Sequence, residues 1–309
     1  MTRSRVLSGV LSVLTLAVLF LPMVGQSARA ERSDPAIAQG GAQGRGGRGG
    51  PSRERARKVV LAWADTRNGQ AQHESVSHAL SVIERLGYDS GAYDTFIRTD
   101  SHIVARQPLK TTGEPASGGP SLGMVDAIFF LGHRDVPIDA KQKNELLAFV
   151  RDEGKGFVAA HTALTAFDSW PAFGELIGGR YDGHPWGNAP GTIINEGADF
   201  PATKHFPASF AFTDEFYQAK EFSREHARVL LRLDVSKMPP NDGYHGKDGG
   251  MPIVWAKMYG KGRVFYSSLG HSASTWDNRD VGQMYLEAIK WSLGLTEGNA
   301  APKPQSANQ

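Results

Sequence analysis

The chain contains no cysteine in its 309 residues. That excludes disulfides, thiolate metal sites, a cysteine nucleophile and lipid attachment through an N-terminal cysteine. Charge of one sign is also scarce. Lys and Arg number 34 against 32 Asp and Glu, a net charge of +2. So small an excess, much of it arginines near the N-terminus, implies neither nucleic acid nor an anionic membrane as partner. Several familiar active-site patterns are missing as well. His73 and His78 are five residues apart, about 140° around a helix, where a zinc-protease pair needs four. Gly260-Lys261-Gly262 precedes a strand, so it is no phosphate or dinucleotide loop. No serine nucleophile elbow occurs. Asp214 and Glu215 are adjacent in an extended stretch and point to opposite faces, so they cannot flank one glycosidic bond together.

What is present first is an export pattern. Arg3 and Arg5 precede an apolar run, Val6 to Val24, and Ala28-Arg29-Ala30 places small residues where a signal peptidase reads. Residues 1–30 are expected to be a cleaved signal peptide, with an uncleaved anchor as the competing reading because the run approaches spanning length. No later segment is apolar enough to span. The mature chain is expected to be periplasmic or secreted, without stable membrane insertion. Residues 31–57 carry Arg45-Gly46-Gly47-Arg48-Gly49-Gly50-Pro51 and too little apolar surface to fold. A flexible linker is expected, and residues 296–309 are expected to be a disordered tail. Arg-Gly-Gly tracts bind single-stranded nucleic acid in some proteins, but this one lacks interleaved aromatics.

Over the whole chain, 40% hydrophobic and 21% charged residues describe an ordinary soluble globular protein. Val59 to Ala64 is an apolar strand. Val76, Ala79, Leu80, Ile83 and Leu86 recur at helical spacing, with Gly87 as the expected stop. Tyr93 to Ile97 is a second strand candidate and Val125 to Leu131 a third. Asp139 caps a helix carrying Leu146, Phe149 and Val150. Gly154-Lys155-Gly156 then turns into the strand Phe157 to Ala160. Alternating strands and helices with near-continuous apolar strands predict an α/β fold whose sheet is mostly parallel. The second half is strand-rich: Thr192 to Asn195, Ser209 to Phe212, Arg228 to Leu233, Pro252 to Met258 and Arg263 to Leu269. Met238 to Gly250 reads as a polar loop, and Val281 to Leu293 as a final helix apolar nearly all round.

Chemistry-bearing residues gather at the boundaries of these elements. His133, His161 and His271 each follow a buried strand, and parallel strands carry such ends to one edge, where ligands bind in open α/β sheets. Imidazoles meeting there suit acid–base work near neutral pH or a divalent metal. His73 and His184 lie on neighbouring loops, His184 held extended by Pro185. Trp170 and Trp186 offer flat faces that suit a sugar ring or a core. Asp214-Glu215-Phe216-Tyr217-Gln218 sets an acidic pair among aromatics, with Arg224 a possible salt-bridge partner.

The runs GKGFVAAHTA, LIGGRYDGHPW, DEFYQ, VLLRLD, PIVWAKMYGKGRVFYSSLGH and the closing KWSLG resemble ThuA-like (trehalose utilisation) proteins, in family order over Lys58 to Gly294. The resemblance implies a class I glutamine amidotransferase-like fold, a flavodoxin-like three-layer α/β sandwich. It maps the family's strand-end histidine to His161, its His-Pro to His184-Pro185 and its acidic-aromatic motif to Asp214, Glu215 and Tyr217. The late Gly-His falls on Gly270-His271, and an early His-acid-Ser motif on His73, Glu74 and Ser75. A further His-Pro reads His205-Phe206-Pro207 here, a departure that leaves no ground for giving His205 a role. Where amidotransferases of that fold carry a cysteine nucleophile, this chain is expected to carry His161, so glutamine hydrolysis by that route is excluded.

The resemblance implies an enzyme of disaccharide or keto-sugar metabolism, a hydrolase, lyase or isomerase. Its expected acid–base or metal-binding groups are His161, His271, His184 and Glu215. Trp170, Tyr217, His73, His133 and Asp214 are the expected substrate contacts. No cofactor follows from spacing; a divalent metal such as zinc is compatible with three or four His and Glu groups converging. The partner expected is a small carbohydrate. A non-catalytic sugar-binding or scaffold module on the same fold is the alternative.

Overall fold

The computed structural model describes residues 57–246 and 250–303; the expected signal peptide, all of the linker but Arg57, and the last six residues lie outside them. The first half alternates as the apolar runs require: β1 (Lys58–Trp63), α1 (Val76–Ser90), β2 (Tyr93–Arg98), β3 (Ala127–Phe130), α2 (Ala140–Arg151), β4 (Gly156–Ala160), α3 (Pro171–Ile177) and β5 (Arg180–Tyr181). The second half holds β6 (Asn188–Asn195), β7 (Ser209–Glu215), β8 (Ala219–Lys220), β9 (Arg228–Leu233), β10 (Met251–Tyr259), β11 (Gly262–Ser267), α4 (Ala273–Asp277) and α5 (Arg279–Ser292).

Nine strands form one sheet in the order β2-β1-β3-β4-β11-β10-β9-β6-β7, and β5 pairs separately with β8. The pairs β1/β2, β1/β3, β3/β4 and β4/β11 are parallel. The pairs β10/β11, β9/β10, β6/β9 and β6/β7 are antiparallel. The sheet is therefore mixed rather than mostly parallel. Apolar content reports that a strand is buried, not which way its neighbour runs; of the late pairs, β10 and β11 are joined by the tight turn Gly260-Lys261, which only antiparallel pairing permits.

Side chains alternate across the strands and feed two cores. Val60 and Ala62 join α1 and α5 on one face. Val59, Leu61 and Trp63 join α2 and α3 on the other. With both faces covered, the strand reads as an unbroken apolar run, and the fold has three layers.

Three local expectations shift. α1 does not stop at Gly87 but runs to Ser90, capped by Gly91 at φ 66°. Gly87 is glycine for another reason: a Cβ there would sit 2.3 Å from the Tyr93 ring. α2 starts as expected at Asp139, whose side chain and that of Gln142 cap each other's backbone N–H groups. α5 turns Arg279, Asp280 and Gln283 outward, so it is amphipathic. The tail docks further than expected. The Trp291 indole donates to the Gly298 carbonyl at 3.0 Å, the Arg228 guanidinium bonds the Asn299 carbonyl, and Ala300 is buried.

Candidate functional site

Parallel pairing carries the carboxyl ends of β1, β3, β4 and β11 to one edge of the sheet. His73 lies in the loop after β1, His133 three residues beyond β3, His161 directly after β4, and His271 four residues beyond β11. Counting antiparallel reversals from β11 through β10, β9 and β6 gives β7 the same direction as β4. Its last residue, Glu215, therefore points to that edge too. Three strands separate β7 from β11 in the sheet, yet their ends touch. The antiparallel half curls back over the edge.

Two side chains hold that closure. The buried Asp214 carboxylate accepts the backbone N–H of Gly270 at 2.9 Å and of His271 at 3.2 Å, and the Thr275 hydroxyl at 3.1 Å. The Ser268 hydroxyl accepts the Tyr217 N–H at 2.7 Å. Gly270, at φ 146°, lies where a Cβ would be 2.8 Å from the Trp276 ring and 3.3 Å from the His161 Cβ. A side chain there would push the elbow apart.

His161 sits on a sharp turn from β4 into a single 3₁₀ turn, with φ 40°, a left-handed conformation rare outside glycine. The turn is held by the Tyr266 hydroxyl, which donates to the His161 carbonyl at 3.2 Å. The imidazole is wholly buried. Its Nδ1 is 2.7 Å from the Ser268 carbonyl, which can only accept, so Nδ1 carries the proton. Nε2 makes no hydrogen bond and faces Glu215 Oε2 at 3.5 Å.

Glu215 is the meeting point. Its Oε2 lies 3.2 Å from His271 Nδ1 and 3.9 Å from His73 Nε2, and its Oε1 lies 3.5 Å from His184 Nδ1. His184, at the far end of the stretch that begins with β4, thus folds back to the same carboxylate as His161. Burial acts to raise the Glu215 carboxyl, but the imidazoles gathered around it, His161, His73 and His184, outweigh it and hold it well below the usual range. Burial lowers His161, against the pull of Glu215 and Asp214, so it is neutral near pH 7. Burial and the Glu215 charge raise the Tyr217 phenol. Its ring stacks on His161 with centroids 4.2 Å apart. His133 stands behind His73, rings 5.6 Å apart and edge to face, with Nδ1 3.0 Å from the Ala71 carbonyl; burial lowers it. A cleft of about 420 Å³ opens over His73, His133 and His271, lined also by Gln72, Glu74 and Asn188.

Seven of the nine residues singled out from sequence meet here: His73, His133, His161, His184, His271, Glu215 and Tyr217. Two do not serve as expected. Asp214 is 1% exposed with its oxygens spent on backbone and Thr275, so it positions the site without facing substrate. The Trp170 ring stacks on Phe173 and meets the Phe167 edge, with the Lys143 ammonium 5.4 Å above it. It seals the α3 side of the core. Arg224 pairs with Glu196 at 2.8 Å, not with the acidic pair. Trp186 donates to the Pro239 carbonyl. His78 pairs with Asp277 away from the cluster, and His73 lies before α1 begins, so the two are not on one helix. Sequence reading missed Ser268, whose carbonyl and hydroxyl fix His161 and Tyr217, and Tyr181, which packs edge-on against Tyr217 at 4.8 Å. Both lie inside the quoted runs, one in YSSLGH and the other in GGRYDGHPW, but only contact reveals their parts.

Four of these groups could hold a cation together: His73, His161, Glu215 and His271, whose donor atoms all lie within 4.8 Å of one another. The fold and site define a three-layer α/β protein with a histidine–carboxylate cluster at the carboxyl edge of a mixed sheet. The chain belongs to the ThuA family, described as trehalose utilisation, whose model matches residues 59–292. It is similar to a putative ThuA-like protein from Bacteroides uniformis, with 21% identity, a TM-score of 0.60 and coverage of 79% of this chain and 95% of that one. A putative ThuA-like protein from Parabacteroides merdae is similar at 17% identity and a TM-score of 0.56, covering 77% and 90% of the two chains. At such identities these likenesses speak for the fold alone. No curated protein matches the chain.

Proposed function

We propose that this chain is an exported enzyme of carbohydrate metabolism that hydrolyses, eliminates or isomerises a disaccharide or keto-sugar at the His161–Glu215 cluster. The observation that carries the reading is His161 itself. It is a neutral, buried imidazole on a strained strand-to-helix elbow, with Nε2 free of hydrogen bonds and its neighbours His73 and His271 lining a cleft. Amide, carboxylate and imidazole groups lining that cleft suit the hydroxyls of a sugar, and the family description points the same way. The parallel strands run in the order β2-β1-β3-β4-β11, the 2-1-3-4-5 order of flavodoxin-like folds, which supports the amidotransferase-like reading of the architecture. In that reading His161 stands at the nucleophile's elbow. With no cysteine in the chain, thiolate hydrolysis of glutamine has no nucleophile.

The residues divide the work. His161 Nε2 accepts a proton from substrate, or a cation, while the Ser268 carbonyl holds its tautomer. Glu215 draws the imidazoles together, His184 stands at the exposed rim, and the protonated Tyr217 phenol fixes the His161 plane. The Arg3–Ala30 pattern supports a periplasmic or secreted location. Among the described residues no helix is long and apolar enough to cross a membrane. The partner is a small carbohydrate, not nucleic acid.

The test is turnover of a panel of disaccharides and their keto derivatives by purified protein, beside His161→Ala. A fall in kcat of about 10²–10⁴-fold with sugar binding retained is expected. Wild-type protein that binds a sugar but turns none over is a binding module, and protein that does neither is not carbohydrate-active.

A further inference from the structure

We infer that His73 Nε2, His161 Nε2, His271 Nδ1 and Glu215 Oε2 are the ligands of one divalent transition-metal ion of the zinc class. The first ground is an electrostatic conflict that protein atoms leave standing. His161 donates its only proton, on Nδ1, to the Ser268 carbonyl. Its Nε2 lone pair then faces a carboxylate oxygen 3.5 Å away, fully buried and without a hydrogen bond. His271 Nδ1, also buried and without a hydrogen bond, faces the same oxygen at 3.2 Å. The His161 lone pair and the carboxylate pointing at one another are repulsive unless something positive lies between them.

A proton is the smaller candidate and fits poorly. A charge-assisted N–H···O bond spans about 2.7–2.9 Å, and these separations run from 3.2 to 3.9 Å. One oxygen would also have to serve three rings. A cation between the groups meets all four donors at once. For arms of about 2.0–2.1 Å, a tetrahedral site places its donors about 3.4 Å apart, within the observed range. The donors as a set lie within 4.8 Å of one another, so closing on a cation asks each side chain to move by less than about an ångström.

The surroundings are those of a ligand site. A metal-binding histidine donates its other ring N–H to a carbonyl or carboxylate, which fixes tautomer and plane. The Ser268 carbonyl does this for His161, and stacking by Tyr217 holds the plane. Three imidazoles and one carboxylate favour zinc, nickel, iron or manganese over magnesium and calcium, which take oxygen-only shells. His184 stands outside the set. It is 44% exposed and touches only the other oxygen, Oε1, so His73 takes the place that sequence reading assigned to His184. The inference does not depend on sugar being the substrate.

The experiment uses full-length mature protein expressed without a histidine tag. Elemental analysis comes first. The protein is then stripped with a chelator and titrated calorimetrically with Zn²⁺, Co²⁺, Mn²⁺, Mg²⁺ and Ca²⁺ in turn. One transition ion per chain is expected, and Co²⁺ should give the visible bands of a four-coordinate site. His73→Ala and Glu215→Gln should weaken Zn²⁺ by at least about tenfold, and His184→Ala by less than about threefold. Circular dichroism of each variant separates lost ligands from lost fold. Stripped wild-type protein that takes up none of the five ions overturns the inference, as does preference for Mg²⁺ or Ca²⁺. Equal losses from His184→Ala and His73→Ala overturn the ligand set. Stoichiometric metal without sugar turnover leaves the site standing and removes the proposed activity. Turnover by fully stripped protein does the reverse.

Discussion

The parallel and antiparallel halves of the sheet contribute to the site in different ways. The parallel half delivers His73, His133, His161 and His271, each on a loop after a strand, because neighbouring parallel strands must end on one edge. The antiparallel half brings Glu215 and Tyr217, at and just beyond the end of β7, to that edge only by curling back. Imidazole placement therefore follows from topology, whereas carboxylate placement rests on a few long-range bonds. Glu215 is where the two halves depend on each other.

Breaking the closure should have the largest effect. Asp214→Ala strips the acceptor from four donors, the Glu215, Gly270 and His271 N–H groups and the Thr275 hydroxyl. Each buried donor left unpaired costs about 1–3 kcal/mol, so a stability loss of about 3 kcal/mol or more is expected from chemical denaturation. A loss under about 1 kcal/mol would mean the halves hold together without it.

Acid should separate the halves in pH. The folded His161 is lowered by burial, so the unfolded chain binds its proton more readily, and stability falls as pH drops through the ordinary histidine value of about 6.5. His133 is lowered too and adds to the same window. Glu215 is depressed, so its contribution is full above the unfolded carboxyl value of about 4.3 and disappears only as pH falls through its lower folded value. Thermal melts of chelator-treated protein should show two stages of destabilisation. His161→Gln should flatten the first and Glu215→Gln the second. A single stage would contradict the division.

The smallest expected effect lies outside the cluster. Trp170→Ala loosens packing on Phe173 and Phe167 but should leave KM for the sugar within about twofold, because the ring does not face the cleft. A large rise in KM would extend the substrate site to α3.

The histidines were legible because each follows an apolar strand, and strand burial is written locally as hydrophobic runs. Asp214 and Glu215 were legible as a pair on opposite faces, but not in their roles. Alternation says that one side chain goes in and one goes out, and is silent on what either meets. Asp214 found backbone donors 56 and 57 residues away in sequence. Trp170 stayed open in the sequence for a similar reason: an indole suits a sugar face and a core face equally, and only the structure shows its ring stacked on Phe173.

The sequence by itself determined the burial of the main strands, the helix cap at Asp139, the family, and the exclusion of thiol chemistry. These depend on residue type and on spacing within a few turns of chain. Only the tertiary structure decided that half the sheet is antiparallel, that Glu215 meets His161 from the fourth strand beyond β11, and that His73 rather than His184 shares its Oε2 with the other imidazoles. Strand direction and side-chain convergence depend on contacts between segments far apart in sequence, which no local pattern encodes.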